Sequence, residues 1–184
     1  LRQSHFAIIP AEVYENIEAP AGKGDRGGST GLKIRVIDGK AIVTSVVPGT
    51  PAETAGVRAG WEIRSVKGEE IPPLFPPIEK EFEKNPRKDL YLSLAVRTRM
   101  GGAIGDTVTA LFMDKTDRPT EKTMILEESK GKKVIFGNLP PFYLTYGADT
   151  LRDGIGYFTF SAFFDPVTLM PAFGNAMQSF MQAP

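Results

Sequence analysis

Apolar and charged residues alternate from position 32 to 36, with Leu32, Ile34 and Val36 on one side and Lys33 and Arg35 on the other. This period of two predicts a half-buried strand. Asp38-Gly39 follows, a pair in which both residues tolerate positive φ, and predicts a tight hairpin turn. The β-branched run over 41–47 returns as the partner strand. Next comes "PGTPAETAGVRAG", residues 48–60, where Thr50 suits an N-cap and Pro51 the first helical position. Glu53 falls in the first turn, where the helix dipole favours it, and Gly56 supplies a left-handed end. Gly60 opens a strand over 61–66 that Lys67-Gly68 closes. Residues 71–88 are proline-rich with room for one short helix, its charges outward. Leu90 and Leu94, then Leu92 and Val96, stand four apart between Asp89 and the stop Gly101-Gly102. They predict a helix over 90–100, although the Val, Thr and Tyr content also suits a strand. Strands are predicted at 107–113, 123–126, 134–136 and 154–164, with a turn near 117–119. Met170, Phe173, Met177 and Phe180, at spacings of 3, 4 and 3, predict an amphipathic C-terminal helix. At the other end, Pro10 and Pro20 break an apolar segment, and 21–30 reads as a Gly-rich loop.

Composition narrows the function classes. The 184 residues suffice for one large or two small domains, and 41% hydrophobic with 24% charged residues is ordinary for a globular chain. Lys+Arg and Asp+Glu both number 22, so net charge gives no reason to expect nucleic acid or an anionic membrane as partner. The absence of cysteine excludes disulfides and thiolate metal sites. No apolar run approaches the ~20 residues that span a bilayer. A Ser-His-Asp triad would have to use His5, the single histidine, and no serine sits on a Gly-x-Ser-x-Gly elbow. Glu69-Glu70 and Glu127-Glu128 are adjacent pairs in polar context, better read as solvated than as acid/base pairs. No Gly-x-Gly-x-x-Gly loop is present, and neither cofactor nor metal is expected.

"STGL" at 29–32 and "PGTPAETAGVRAGWEIRSVKGEEI" at 48–71, with the element order around them, resemble a PDZ domain in the permuted bacterial arrangement over residues 28–114. The resemblance implies an α+β fold, a small, partly open β-barrel or sandwich with two helices. It also implies a function: an extended peptide adds to an open sheet edge, and backbone amides hold its terminal carboxylate. Thr30, Gly31 and Leu32 are the implied amide donors. Ile34, Leu90 and Leu94 are the implied groove residues, with Leu32 beside them. A charge-assisted hydrogen bond contributes ~1.5–3 kcal/mol, so two or three explain a preference for free C-termini. Lys23, Arg26, Lys33, Arg35 and Lys40 outweigh Asp25 and Asp38 nearby. The same apolar residues also read as plain core, and the basic ones as a solvated face. Trp61 stands where the PDZ pattern usually has Asp, and the 71–88 insertion is longer than usual, which leaves open a third reading in which it covers the groove.

The flanks resemble C-terminal processing peptidases (tail-specific proteases), serine peptidases with a PDZ domain ahead of the catalytic fold. "SHFAIIP" is similar to the segment before that PDZ, and 156–163, "GYFTFSAF", to the Gly-Tyr-Ile strand that opens the catalytic domain. This divides the chain into an N-terminal segment (1–27), the PDZ domain (28–114), and a β-rich connection with the first strand and helix of a catalytic domain (115–184). The peptidase pattern continues with an Asp-Leu-Arg-Gly-Asn strand, a Ser nucleophile and a Lys base, which these 184 residues do not contain. The chain is therefore expected to bind C-terminal tails without cleaving them. The resemblance places it in the periplasm or outside the cell. A stand-alone PDZ scaffolding protein, paired as a homo-oligomer through the C-terminal apolar face, is the alternative.

Overall fold

The computed structural model describes residues 11, 27–135, 142–151, 154–163 and 165–182. His5, the 4–10 segment, residues 21–26 of the Gly-rich stretch, Phe136 and Phe164 lie outside these. The chain divides into two compact units, 1–129 and 130–184.

The first unit runs β1 (Gly27–Ser29), β2 (Leu32–Ile37), β3 (Lys40–Val46), α1 (Pro51–Thr54), β4 (Glu62–Val66) and β5 (Glu69–Glu70). A 3₁₀ turn (Pro72–Leu74) leads into α2 (Phe75–Glu81) and α3 (Lys88–Arg99), followed by β6 (Gly102–Ala103), β7 (Thr107–Met113), β8 (Pro119–Ile125) and β9 (Glu127–Glu128). The fold is α+β, built on open sheets. The larger sheet has the order β2-β3-β4-β7-β8, with β5 also paired to β4, and every pairing is antiparallel. Asp38 (φ 49°) and Gly39 (φ 70°) make the predicted hairpin turn. Lys67 (φ 53°) and Gly68 (φ 81°) turn the chain back from β4 into β5, a short return strand that the sequence reading passes over.

Two stretches read as loop or stop are strand. β1 lies between β6 and β9, with Gly28 opposite Gly102 on one side and Glu128 on the other. A Cβ on Gly28 would lie 2.5 Å from the Ala103 carbonyl oxygen, so the glycine is there for close backbone approach. The proline-rich 71–82 stretch is core: Ile71, Leu74, Phe75, Ile78 and Phe82 are all buried, and Phe82 stacks on Tyr91 of α3 at 4.1 Å. Ile78, Leu92 and Val96 belong to the same buried cluster as Val43, Ile63, Val66, Val108 and Phe112. Thr50 takes the N-cap backbone conformation before α1, but its hydroxyl donates to the Val47 carbonyl (2.6 Å) instead of capping the helix. Arg99 is only 6% exposed; its guanidinium reaches Glu69 on β5 (2.9 and 3.2 Å) and the Ala95 carbonyl (2.9 Å). That network ties β5 to the last turn of α3.

The second unit holds two antiparallel pairs, β10 (Lys132–Val134) with β11 (Phe142–Leu144) and β12 (Tyr146–Thr150) with β13 (Gly156–Phe160). The predicted C-terminal helix is α4 (Pro166–Gln182). It buries Leu169 and Ala176, and Phe173 meets Phe158 edge-on at 5.4 Å. Asp165 stands just before α4 and accepts from the Thr168 hydroxyl (2.7 Å), the Lys132 ammonium (2.9 Å) and the Thr168 amide (3.2 Å). These bonds, the hydroxyl first, hold the Asp165 carboxyl down to about 2. A depressed pKa contributes stability that is fully present above the unfolded carboxylate value near ~3.9 and is lost as pH falls through about 2. Asp165→Ala is therefore expected to lower the thermal midpoint of this unit at neutral pH. In far-UV circular dichroism melts, the gap from wild type should narrow below pH ~4 and close as the native carboxylate protonates. A gap independent of pH would show that the cap acts without its charge.

Candidate functional site

The register of β2 fixes which of its backbone groups face outward. Asp38-Gly39 closes a two-residue hairpin, so Ile37 and Lys40 form its terminal hydrogen-bonded pair. Alternation then turns the Arg35 backbone toward β3 and those of Val36 and Ile34 away from it. Three further bonds fit this phase. Val43, opposite Ile34, bonds across to Trp61 and Gly60 on its other side; the Thr44 hydroxyl donates to the Lys33 carbonyl; and the Val47 amide donates to the Gly31 carbonyl. The outer edge of the larger sheet thus presents the main-chain groups of Leu32, Ile34 and Val36, since among the described residues β2 pairs with β3 alone.

The loop entering β2 is held from behind. Gly31 has φ +82°, and its carbonyl and that of Thr30 accept from Val47 (2.9 Å) and Ala52 (3.0 Å). Thr30 is buried, and a Cβ on Gly31 would lie 2.2 Å from the Thr50 hydroxyl. The Gly31 amide donates to the Ser29 hydroxyl (3.0 Å), and the Leu32 amide makes a long bond to the Thr30 hydroxyl (3.4 Å). These are local side-chain-to-backbone bonds of the kind Ser and Thr make two residues ahead. An incoming carboxylate would have to replace or share them. Ser29, read as loop, is the last residue of β1, and its role as an internal acceptor was not legible.

Helix α3 packs along β2. Leu32 is half-buried at the start of the strand, and Ile34 lies in the core. Leu94 is half-buried against the same core, whereas Leu90, one turn earlier, is 57% exposed. Lys33 and Arg35 lie on the opposite face of β2, in solvent. The residue that sequence reasoning missed is Ser93. It is buried on α3, donates to the Asp89 carbonyl (2.7 Å), and accepts the outward amide of Val36 (3.0 Å). Nothing in the pattern of one serine among leucines marks it, because its partner is 57 positions away.

No family profile and no curated protein matches this sequence. Solved structures do. The photosystem II D1 C-terminal processing protease is similar over 72% of this chain at 20% identity and a TM-score of 0.41, and this chain spans 28% of its length. A PDZ domain of a carboxy-terminal protease from Vibrio cholerae, solved with a peptide, is similar over 56% at 18% identity and a TM-score of 0.40; 96% of that domain is covered. An HtrA-type protease solved with a decapeptide is similar over 56% at 13% identity and a TM-score of 0.39, with 29% of it covered. Among the described residues no helix is long and apolar enough to cross a membrane.

Proposed function

We propose that residues 27–129 bind the free C-terminal tails of proteins by strand addition, as the substrate-recognition module of a C-terminal processing serine peptidase. The observation that carries this reading is the outer edge of β2. Main-chain groups of Leu32 and Ile34 face outward, a glycine-bearing loop precedes them, and α3 runs alongside. A tail laid antiparallel to β2 brings its carboxylate to the loop, where the amides of Thr30, Gly31 and Leu32 are the assigned donors. Leu32, Ile34, Leu90 and Leu94 are assigned to the side-chain groove. Cleavage belongs to a Ser–Lys pair outside these residues, in the periplasm or beyond the cell.

Fluorescence anisotropy with matched peptides tests this. Free-acid peptides with an apolar last residue are expected to bind at least about tenfold more tightly than their amides, because one lost charge-assisted hydrogen bond costs ~1.5–3 kcal/mol. Equal affinity for acid and amide would remove the carboxylate loop from the reading.

A second reading has its own observation. Val167 is 83% exposed, and Met170, Phe173 and Met181 are also solvent-facing on α4. Such a face suits a protein partner. In this reading the chain is a peptide-binding scaffold that pairs through residues 130–184. A concentration-independent monomer in sedimentation equilibrium would remove it.

A further inference from the structure

We infer that Ser93 closes the strand-addition site at Val36, so that only the last four residues of a tail are read. This rests on the strand-addition function proposed above and says how far along the tail recognition extends. In an antiparallel addition, residues two apart use successive outward positions of the edge. With the last tail residue against Leu32, the residue two before it pairs with Ile34. The residue four before it would need the amide of Val36. That amide already donates to the Ser93 hydroxyl at 3.0 Å.

The bond is built, not incidental. Ser93 is 8% exposed, and its own proton goes to the Asp89 carbonyl one turn back, so the oxygen is aimed at β2. Serine is also one of the shortest side chains. A helix whose serine touches the strand edge leaves no gap of the ~4.8 Å that an inserted strand occupies. A tail must therefore leave the sheet edge before Val36 or displace α3. Displacing it would leave the Val36 amide and the Ser93 hydroxyl to be paired again, while α3 is held by the Phe82–Tyr91 stack and by the Arg99–Glu69 pair at its far end. The site thus works as a short slot, from which the residues upstream of the last four leave the sheet edge.

The test is a ladder of fluorescent free-acid peptides of three to eight residues sharing the C-terminus Ala-Val-Leu-Val, titrated into the full chain. Affinity is expected to rise up to four residues and then stay within about twofold. Ser93→Ala removes the bond that holds this turn of α3 against β2, so a longer tail can push the turn aside and pair with the unpartnered Val36 amide. It should restore a gain of at least about threefold between four and six residues, and Ser93→Thr, which keeps the hydroxyl, should return the plateau. A gain of fivefold or more between four and six residues in the wild type would overturn the inference. Amide hydrogen exchange separates the two levels of failure. Val36 protection that falls in Ser93→Ala, together with no peptide binding, would sink the tail-binding reading and this inference with it. Val36 protection unchanged in Ser93→Ala would overturn the lock alone, whatever the peptides do.

Discussion

Gly31→Ala is expected to cost this protein roughly 2–5 kcal/mol and to weaken the proposed tail binding at least tenfold. Two separate penalties add. An L-residue at φ +82° carries a left-handed cost of ~1–2 kcal/mol. The new Cβ would also meet the Thr50 side chain at 2.2–2.5 Å, and forcing extra volume into a packed site costs about 1–3 kcal/mol. The loop cannot retreat cheaply, because the Thr30 and Gly31 carbonyls are pinned by Ala52 and Val47. Gly39→Ala is the control. Gly39 has a similar φ of +70°, but a Cβ there meets nothing within 4 Å, so only the backbone penalty applies. The excess of Gly31→Ala over Gly39→Ala in chemical denaturation measures the clash. Adding Thr50→Gly should recover most of that excess, since it removes all three close atoms. No excess, or no recovery, would mean that Thr50 does not buttress the loop. Peptide affinity measured on the folded fraction should fall at least tenfold in Gly31→Ala and stay unchanged in Gly39→Ala.

What the sequence disclosed, and what it withheld, follows from the range of the interactions. The Asp38-Gly39 hairpin, α1 with Pro51 at its first position, and the Leu32/Ile34/Val36 alternation were legible because each is decided within a few neighbours. β7 was read at its observed bounds, 107–113, and α3 within two residues of its observed ends. The misreadings concern residues whose partners are distant. Gly28 and Gly102 look like loop punctuation, yet they face each other across two strands that only glycine lets come this close. Glu69 is exposed, as read, but its bond to the buried guanidinium of Arg99, thirty positions on, was not legible. The proline-rich stretch from 72 to 77 was read as leading into one short helix with its charges outward, and that helix is α2; its buried face was not legible. The prolines open a 3₁₀ turn and a helix whose Ile78 and Phe75 are core, because a proline in the first turn of a helix has no amide bond to lose. At the candidate site, the loop glycine and the edge strand could be picked out from the motif. The Ser93 contact could not, since it depends on how closely α3 approaches β2.

Phe112→Ala is the other large effect, expected to cost about 3–5 kcal/mol, the usual range for truncating a fully buried phenylalanine. Phe112 sits on β7 between Ile63 of β4 and Thr120 of β8, with a strand of the larger sheet on either side. Its ring lies 5.9 Å from that of Trp61, tilted by 58°. This contact explains how the chain tolerates Trp61 where the PDZ pattern usually has Asp. The indole covers the edge of the core over Phe112, and its main-chain carbonyl accepts from Val43, so that strand entry is stabilised by packing and a backbone bond instead of a turn carboxylate. Trp61 is also the one tryptophan in the chain and belongs to the first unit, so its emission reports the unfolding of that unit alone. Denaturant unfolding of Phe112→Ala, followed by that emission, should shift to a lower midpoint, and the native spectrum should move to the red as water enters beside the indole. The thermal midpoint should fall by roughly 4–8 °C for each kcal/mol lost. Trp61→Asp, followed by circular dichroism because it removes the fluorophore, should cost less than Phe112→Ala, since the half-buried indole gives up less apolar area than the fully buried ring. A loss below about 1 kcal/mol for Phe112→Ala would contradict the packing of Phe112 in the core beneath Trp61, and a larger loss for Trp61→Asp would mean that the indole, not Phe112, is the keystone of this end of the sheet.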